Sequence, residues 1–228
     1  MTEHRIAVFG AGGFGREVLQ LIRDINAVRA TWSCVGFIVD SAYESQASVA
    51  GLPVLGGIEW LSANPDVHVV VAVGSSAARW RICRRIRDQC SNPFAVLIHP
   101  RAWMGENVQV GKGSVICAGA LITTDITIGE HVQVHVGSAI GHDAVLGDFV
   151  TLNPRVTVSG NVHLRDGTEA GAASTIIPGC ELGPWAILGA GAVVTKAVKQ
   201  NCTVVGVPAR IIKERPDGWH QLEPSRSS

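Results

Sequence analysis

The sequence lacks the features that mark several large classes of protein. Aromatic residues make up only 5% of it, and 19 lysines and arginines are balanced by 19 aspartates and glutamates. This balance gives no support for nucleic acid or an anionic membrane as a partner. No apolar run approaches the roughly 20 residues needed to span a bilayer, so we expect no membrane insertion.

The cysteines lack the spacing of a metal site or a disulfide framework. No CxxC pair occurs among the six, which are Cys34, Cys83, Cys90, Cys117, Cys180 and Cys202. This scatter predicts reduced, mostly buried thiols. The N-terminus runs directly into an apolar strand without a signal peptide, so we expect a cytoplasmic protein.

What the sequence does have is a six-residue repeat. Apolar residues recur without an insertion at Val110, Ile116, Ile122, Ile128, Val134, Ile140, Leu146, Leu152, Val158, Leu164, Ala170, Ile176, Leu182, Leu188 and Val194. The position four residues later is small or β-branched, and glycine often follows the lead residue. Helix and strand faces repeat every 3.6 and 2 residues, so neither explains this period.

A period of six fits a solenoid of short strands with three hexapeptides in each triangular coil. The lead residue then points into the prism, where the low aromatic content suits a narrow interior. Extended back through Met104 to Ile98, the repeat makes between five and six coils. It predicts a parallel β-helix, which in its hexapeptide form is left-handed.

Strands and helices alternate before the repeat begins. Apolar strands are predicted at residues 5–9, 34–39, 67–73 and 94–98, with helices after the first and third and an exposed loop at 41–57. This order predicts a small parallel sheet, resembling half of a Rossmann fold, with helices on its faces. We therefore expect an α/β domain at 1–95, a left-handed β-helix at 96–213 closed by a strand or helix at 204–212, and a disordered tail at 214–228.

A glycine-rich turn after the first strand is the main candidate for a ligand in the α/β domain. It contains Gly10, Gly12, Gly13, Phe14 and Gly15. Glycines allow the backbone to approach a phosphate, and the next helix offers its free N–H groups. Asp40, at the end of the second strand, is a candidate for binding a ribose or base edge. A tight turn without a ligand is the alternative, and the domain is too short for a complete dinucleotide fold.

A second loop lies where neighbouring parallel strands of such sheets end and ligands bind. Gly74, Ser75 and Ser76 follow the third predicted strand, and Arg79 comes one helical turn later. We interpret the remaining arginines of that helix as a solvated face rather than a phosphate site: Arg81, Arg84, Arg85 and Arg87.

Among four histidines in the repeat, His142 is the candidate general base. It follows Gly141 at a coil corner, and the adjacent Asp143 can fix the imidazole tautomer. Gly160 lies eighteen residues on, one coil above, where its N–H can donate to a thioester carbonyl or oxyanion. This combination favours acyl transfer. His135 is the second candidate, as an orienting or substrate-binding group.

We interpret the other two histidines, His131 and His163, as surface residues. Three histidines on a β-helix can also bind zinc, as in γ-class carbonic anhydrases. The spacing here does not match that class, so we expect no metal. A carbonic anhydrase relative or a non-catalytic scaffold stays as the remote alternative.

The chain resembles the hexapeptide sugar O-acyltransferases, which include sialic acid O-acetyltransferases and nucleotide-linked amino-sugar N-acetyltransferases of bacillosamine and perosamine synthesis. The resemblance rests on GAGGFG at 10–15, FIVD at 37–40, AVGSS at 72–76, IHP at 98–100, IGHD at 140–143, SGNV at 159–162, ILGAGA at 187–192 and VGVPA at 205–209. These motifs cover nearly the whole chain.

The resemblance implies a homotrimer with acetyl-CoA between neighbouring prisms and a nucleotide sugar at the N-terminal domain. His142 would be the general base, Asp143 its partner, and direct transfer to a sugar amine the reaction. Acetyl-CoA would contact Gly160, Thr151, Gly189, Ala190, Gly191, Gly206 and Pro208. The nucleotide sugar would contact Gly10, Gly12, Gly13, Phe14, Gly15, Asp40, Gly74, Ser75, Arg79 and His135.

Three positions depart from the family pattern. Phe14 stands where histidine is common, Thr151 where the bacillosamine-type enzyme has a second histidine, and His135 where it has asparagine. O-acetylation of a sugar hydroxyl, as on sialic acid, therefore stays open as the alternative to N-acetylation.

Overall fold

A computed structural model describes residues 3–40 and 47–222. The N-terminal part is a five-stranded sheet in the order β3-β4-β2-β1-β5, with three helices. Its elements are β1 (His4–Phe9), α1 (Gly13–Val28), β2 (Trp32–Ile38), β3 (Ser48–Val49), β4 (Leu52–Gly56), α2 (Ile58–Ser62), β5 (His68–Val71) and α3 (Ser76–Gln89). All pairs are parallel except β3 with β4.

Alternation along β1 explains the layers of this sheet. Ile6 and Val8 point to one face and pack with α1, whereas Ala7 and Phe9 point to the other and pack with α2 and α3. All four are essentially fully buried. The period of two in the strand thus places helices on both faces.

The hexapeptide repeat forms the predicted prism, and its parallel strands are consistent with a left-handed β-helix. The strands are β6 (Leu97–Ile98), β7 (Trp103–Met104), β8 (Val108–Val110), β9 (Val115–Ile116), β10 (Leu121–Ile122), β11 (Ile126–Ile128), β12 (Gln133–Val134), β13 (Ala139–Ile140), β14 (Val145–Leu146), β15 (Thr151–Leu152), β16 (Thr157–Val158), β17 (His163–Leu164), β18 (Glu169–Ala170), β19 (Thr175–Ile176), β20 (Glu181–Leu182), β21 (Ile187–Leu188) and β22 (Val193–Val194). Each pairs with the strand eighteen residues away.

Three flat sheets form the sides of the prism. Face 1 holds β6, β9, β12, β15, β18 and β21; face 2 holds β7, β10, β13, β16, β19 and β22; face 3 holds β8, β11, β14, β17 and β20. The lead residues from Ile116 to Val194 are buried in one continuous core. Ile98, in the terminal coil, is instead 37% exposed because no coil covers it.

Both helical layers of the N-terminal part pack against face 1. Leu97, Val115 and Cys117 share a buried cluster with α1, and Phe149 and Trp185 share one with α3. The joint between the two parts therefore contains an apolar cluster on each side of the sheet.

Two predicted segments differ in the structure. Of residues 94–98, only Leu97–Ile98 form a strand, and it pairs with β9 of the prism; Phe94 makes a single bridge to Val69. Within the predicted loop 41–57, residues 48–56 form a hairpin whose turn uses positive φ at Ala50 and Gly51. Residues 41–46 lie outside the described part.

The C-terminal end is more ordered than its polar composition indicates. β23 (Cys202–Val205) adds to face 1, and β24 (Arg210–Glu214) pairs with it antiparallel, closing the prism. A short 3-10 helix, Trp219–Gln221, stacks His220 on Trp185 with 3.8 Å between ring centroids. The expected disorder of 214–228 is thus not seen up to Leu222, because these rings pack on α3; residues 223–228 lie outside the described part.

Candidate active site

His142 and Asp143 form a hydrogen-bonded pair at an exposed corner between faces 2 and 3. His142 Nδ1 lies 2.7 Å from Asp143 Oδ2, and the two side chains are 62% and 55% exposed. Asp143 has a φ of 59°, the positive value that recurs every six residues at the corners of the prism. A carboxylate on Nδ1 leaves Nε2 as the free, basic nitrogen.

Gly160 lies against the imidazole of His142, one coil along the same corner. A Cβ at Gly160 would lie 2.6 Å from His142 Nε2, so the ring occupies the space of the missing side chain. The coils are joined here by a hydrogen bond of 2.8 Å from Asn161 N–H to His142 O. The free nitrogen and the Gly160 backbone therefore face the same small volume.

The glycine loop divides into glycines that packing requires and glycines that it does not. A Cβ at Gly15 would lie 1.9 Å from Gly10 O, and Gly10 itself has a φ of 109° close to Ala72 O. Gly12 and Gly13, by contrast, face open space. A tight turn explains the first two, and an open approach to the α1 N-terminus explains the others.

Among residues 3–40 and 47–222, no side chain caps the N-terminus of α1. Its N-cap is Gly12, without a side-chain hydrogen bond, and its first turn holds no acidic residue. The N-terminus of α3 is different, because Ser76 N–H donates to Glu169 Oε1 at 2.5 Å and Ser75 caps Ala78 N–H. The N–H groups and dipole of α1 thus suit a phosphate, whereas two N–H groups of α3 already have side-chain partners.

The second loop presents two faces. Gly74 and Ser75 are on its outer side, where a Cβ on Gly74 would meet nothing within 4 Å. The inner side is held by face 1 of the prism. Both predicted contact residues of this loop are therefore accessible.

Arg79 does not face that opening, which corrects the substrate role predicted for it. Its side chain is fully buried and donates to backbone oxygens of the loop and of the prism. Burial lowers its pKa to about 10, so it stays charged at neutral pH. Arg79 follows the loop by one helical turn, as noted in the sequence, but this position directs its guanidinium toward the prism and not toward a phosphate.

Thr151 is also displaced from its predicted role. Thr151 is buried between Arg79 and Gly74, with its Oγ1 2.8 Å from Arg79 Nη2, so its side chain does not reach a surface on which acetyl-CoA could lie. It faces the N-terminal part rather than the His142 corner.

The other α3 arginines are largely exposed, as predicted, but several of them also pair with groups on other elements. Arg85 binds both oxygens of Asp40, at 2.6 and 3.2 Å, so a ribose would share that carboxylate with it. Arg87 pairs with Glu130 of the prism, and Arg81 donates to His220 O at 2.7 Å. Arg84 pairs with Asp88 on the same helix.

His135 and Phe14 meet where the glycine loop touches the prism. Their ring centroids are 4.5 Å apart, and His135 Nε2 is buried without a partner among the described residues. Burial, with a smaller contribution from Arg79, lowers the pKa of His135 to about 4. A neutral His135 with an unused nitrogen thus borders the predicted nucleotide site.

His131 is buried, which corrects its placement on the surface. Its ring stacks on Phe149, and burial lowers its pKa to about 3. Its Nδ1 lies 3.4 Å from the Sγ of Cys83, whose own pKa burial raises to about 12. This pair is part of the joint between α3 and the prism.

The glycine segments predicted to bind acetyl-CoA lie at the C-terminal end of the prism. Gly189, Ala190 and Gly191 follow β21, and a hydrogen bond of 3.0 Å from Val193 N–H to Gly206 O brings Gly206 and Pro208 beside them. A groove of about 380 Å³ opens next to them. It is lined by Val194, Thr195, Lys196, Ala197, Val198, Lys199, Val204, Ala209, Arg210 and Ile211.

Three cations that no sequence motif indicated line this groove: Lys196, Lys199 and Arg210. Lys196 lies at the same corner of the prism as His142 and Gly160. It is three coils from His142 and two coils from Gly160, so the eighteen-residue spacing predicts its position. Arg210 arrives by the closing hairpin, which no spacing predicts.

Three observations concern metals, thiols and membranes. Within residues 3–40 and 47–222, no group of three or more histidine, cysteine or acidic side chains could hold a metal ion. All six cysteines are free thiols. In the same part of the chain, no helix is long and apolar enough to cross a membrane.

Comparisons with known proteins agree with this architecture. Residues 5–86 match the family described as the PglD N-terminal domain. WeeI from Acinetobacter baumannii is 32% identical, with a TM-score of 0.82, over 91% of this chain and all of that one.

Two further structures are similar, each with a TM-score of 0.82 over 92% of this chain. One is a mutant of perosamine N-acetyltransferase from Caulobacter crescentus in complex with CoA and GDP-perosamine. It is 27% identical, and the match covers 97% of that chain. The other is the acetyltransferase domain of PglB from Neisseria gonorrhoeae in complex with acetyl coenzyme A, 28% identical and covered completely.

The curated relatives resemble the chain over a shorter stretch. Serine acetyltransferase from Buchnera aphidicola is 34% identical over 133 residues, which is 57% of this chain. The chain spans about two fifths, 42%, of that relative's length. The full-length likeness to WeeI, the PglD-type N-terminal domain and the hexapeptide prism together show that the chain belongs to the hexapeptide-repeat sugar acyltransferase family.

Proposed function

We propose that the protein transfers the acetyl group of acetyl-CoA to the amino group of a nucleotide-linked amino sugar. The observation that carries this proposal is the pair His142–Asp143, whose free imidazole nitrogen lies against the Gly160 backbone. The similar structures support the two substrates, since one was solved with CoA and GDP-perosamine.

The proposed chemistry is direct transfer. The sugar amine attacks the thioester carbon while His142 Nε2 takes the amine proton, and Asp143 stabilises the imidazolium. The Gly160 N–H donates to the oxyanion of the tetrahedral intermediate. Collapse breaks the C–S bond, and the imidazolium returns its proton to the coenzyme A thiolate. These steps need no acyl-enzyme.

The nucleotide is proposed to bind at the glycine loop. Gly12 and Gly13 leave the α1 N-terminus open, and Gly74 and Ser75 form the neighbouring wall. The diphosphate would accept hydrogen bonds from the α1 N–H groups, with Phe14 and His135 beside it. Asp40, which Arg85 holds in place, would accept a hydrogen bond from the ribose.

Acetyl-CoA is proposed to run from His142 toward the C-terminal groove. Strands of neighbouring coils are about 4.8 Å apart, so three coils place Lys196 roughly 14 Å from His142 along the corner. Lys196, Lys199 and Arg210 supply positive charge there for phosphate groups, and the apolar lining suits the pantetheine arm. Gly189–Gly191 and Gly206–Pro208 lie across face 2 from this corner, so they would border the arm from the neighbouring subunit of the proposed trimer.

A homotrimer is proposed from face 2, which separates the glycine-loop corner from the His142 corner. Its outward residues are uncharged: Trp103, Leu121, Ala139, Thr157, Thr175 and Val193. Trp103 and Leu121 are 57% and 51% exposed in the single chain, as expected of a surface that another subunit covers. A cytoplasmic location stays a prediction from the sequence.

The test is a panel of UDP-, GDP- and dTDP-linked amino sugars assayed with acetyl-CoA for thiol release. We expect turnover with at least one, an amide product, and loss of turnover in His142→Ala. An ester product with a hydroxyl-bearing sugar would favour O-acetylation instead. Thiol release that is independent of every acceptor would contradict the proposal.

A further inference from the structure

Face 1 carries a column of polar side chains where apolar ones would suffice. Gln133, Thr151 and Glu169 stand in register, one on each of three successive coils. Gln133 and Thr151 are buried, at 1% and 2% exposure. We call these three residues the polar column.

Each member of the polar column binds a successive point of the segment that follows β5. Gln133 Nε2 donates to Val71 O at 3.0 Å, and Thr151 Oγ1 lies 3.1 Å from Gly74 O. Glu169 Oε1 accepts from Ser76 N–H at 2.5 Å. Residues 71–76 are thus attached to the prism at three heights.

Arg79 completes the attachment from the other side. It donates to Val73 O at 2.8 Å and Gly74 O at 3.1 Å on the segment itself. It also donates to prism oxygens, at 2.9 Å to His131 O and 2.8 Å to Phe149 O. One buried cation therefore joins the same segment to two adjacent coils.

The need for polar groups follows from the repeat. Because the backbone of a β-helix is nearly identical from coil to coil, an apolar contact could slide by one coil at little cost. Buried hydrogen bonds are directional and are costly when unpaired, so they select one register. The outer side of the fixed segment, Gly74 and Ser75, is the wall of the proposed nucleotide-sugar site.

We propose that Arg79 and the polar column are positioning residues, which fix the height of the nucleotide-sugar site relative to His142 on the same prism. This inference rests on the proposed function, because it assigns the segment 71–76 to substrate binding. A positioning role differs from general interdomain packing, because loss of packing would lower stability without selectively affecting one substrate.

The test uses Thr151→Val, which keeps the shape but removes the hydroxyl, with Thr151→Ser as the rescue. Thr127→Val, at an exposed outward position of face 3, is the matched control. A second pair, Glu169→Leu and Glu169→Gln, removes or retains the acceptor for Ser76 N–H. Steady-state constants for each substrate, melting temperature and backbone amide exchange at 72–78 are measured on the full chain.

We expect Thr151→Val and Glu169→Leu to lower kcat/KM for the nucleotide sugar by about 10- to 100-fold, as misplacement by about 1 Å does. KM for acetyl-CoA should change less than twofold, and exchange at 72–78 should rise. Thr151→Ser, Glu169→Gln and Thr127→Val should behave as wild type. Equal loss for both substrates, or a lower melting temperature with unchanged kinetics, would overturn the proposal.

The exchange measurement separates this inference from the proposed function. It needs no substrate, so faster exchange at 72–78 in Thr151→Val would support the attachment even if no nucleotide sugar were acetylated. Unchanged exchange would contradict the attachment whatever the activity. If Thr151→Val does not fold, the Glu169 pair gives the same comparison.

Discussion

The imidazole of His142 occupies the position that a side chain on Gly160 would take, since a Cβ there would lie 2.6 Å from Nε2. The two residues are eighteen apart and one coil apart. The geometry of the candidate base is therefore set by the coil above it as well as by its own corner.

Removing the imidazole tests the assignment of His142 as general base. We expect His142→Ala to lower kcat by about 10²- to 10⁴-fold, the usual range for a lost general base. Because the side chain is exposed, the melting temperature should stay within about 2 °C of wild type. Asp143→Asn should give a smaller loss of kcat. Wild-type turnover in His142→Ala would refute the assignment.

Adding a single methyl group tests the contact between Gly160 and His142. Gly160→Ala should displace the ring and lower kcat at least about tenfold, because the base loses its orientation. Ser159→Ala, at the neighbouring residue, is the control and should retain activity. A crystal structure of Gly160→Ala with His142 unmoved would contradict this explanation.

Charge reversal in the C-terminal groove tests the path of acetyl-CoA. Lys196→Glu should raise KM for acetyl-CoA by about tenfold, since a lost charge-assisted contact to phosphate is worth roughly 1.5 kcal/mol. KM for the nucleotide sugar should not change. Lys112→Glu, an exposed lysine near the opposite end of the prism, is the control. If KM for acetyl-CoA were the same in Lys196→Glu and Lys112→Glu, the coenzyme would not bind along this groove.

The buried histidines predict how stability depends on pH. His131 and His135 have pKa values of about 3 and about 4 in the folded chain, below the value of about 6.5 in an unfolded one. Between those limits the unfolded state binds more protons, so the free energy of unfolding falls as pH falls from about 6.5 toward 4.

Each such histidine contributes a slope of up to about 1.4 kcal/mol per pH unit. Urea titrations at pH 7.5, 6.0 and 5.0 should show the loss. The double variant His131→Gln, His135→Gln should be less stable at pH 7.5 but less sensitive to acid. An unchanged slope in that variant would show that other groups cause the acid sensitivity.

Periodicity predicted the fold because every coil repeats the same local interactions. The lead residues from Ile116 to Val194 are buried as their spacing indicates. The same spacing predicted that His142 and Gly160 are vertical neighbours. These features need only the distance along the chain, which the sequence states directly.

Contacts between the two parts of the chain could not be read in this way. Arg79 and Arg85 stand on one helix, yet one is buried against the prism and the other binds Asp40. Their roles depend on how α3 docks, which no repeat encodes. Trp219 and His220 are a second example. Nothing in the polar C-terminal segment indicates that their rings pack against Trp185.

The attachment at three heights has a consequence for how such chains can change length. A duplication or deletion of one whole coil between Gln133 and Glu169 would leave the interior filled but misalign the segment 71–76. The same change nearer Lys196 would lengthen or shorten only the path to the groove. Natural variation in coil number should therefore concentrate outside residues 133–169. A chain with eighteen residues inserted between Gln133 and Glu169 should fold but lose binding of the acceptor sugar.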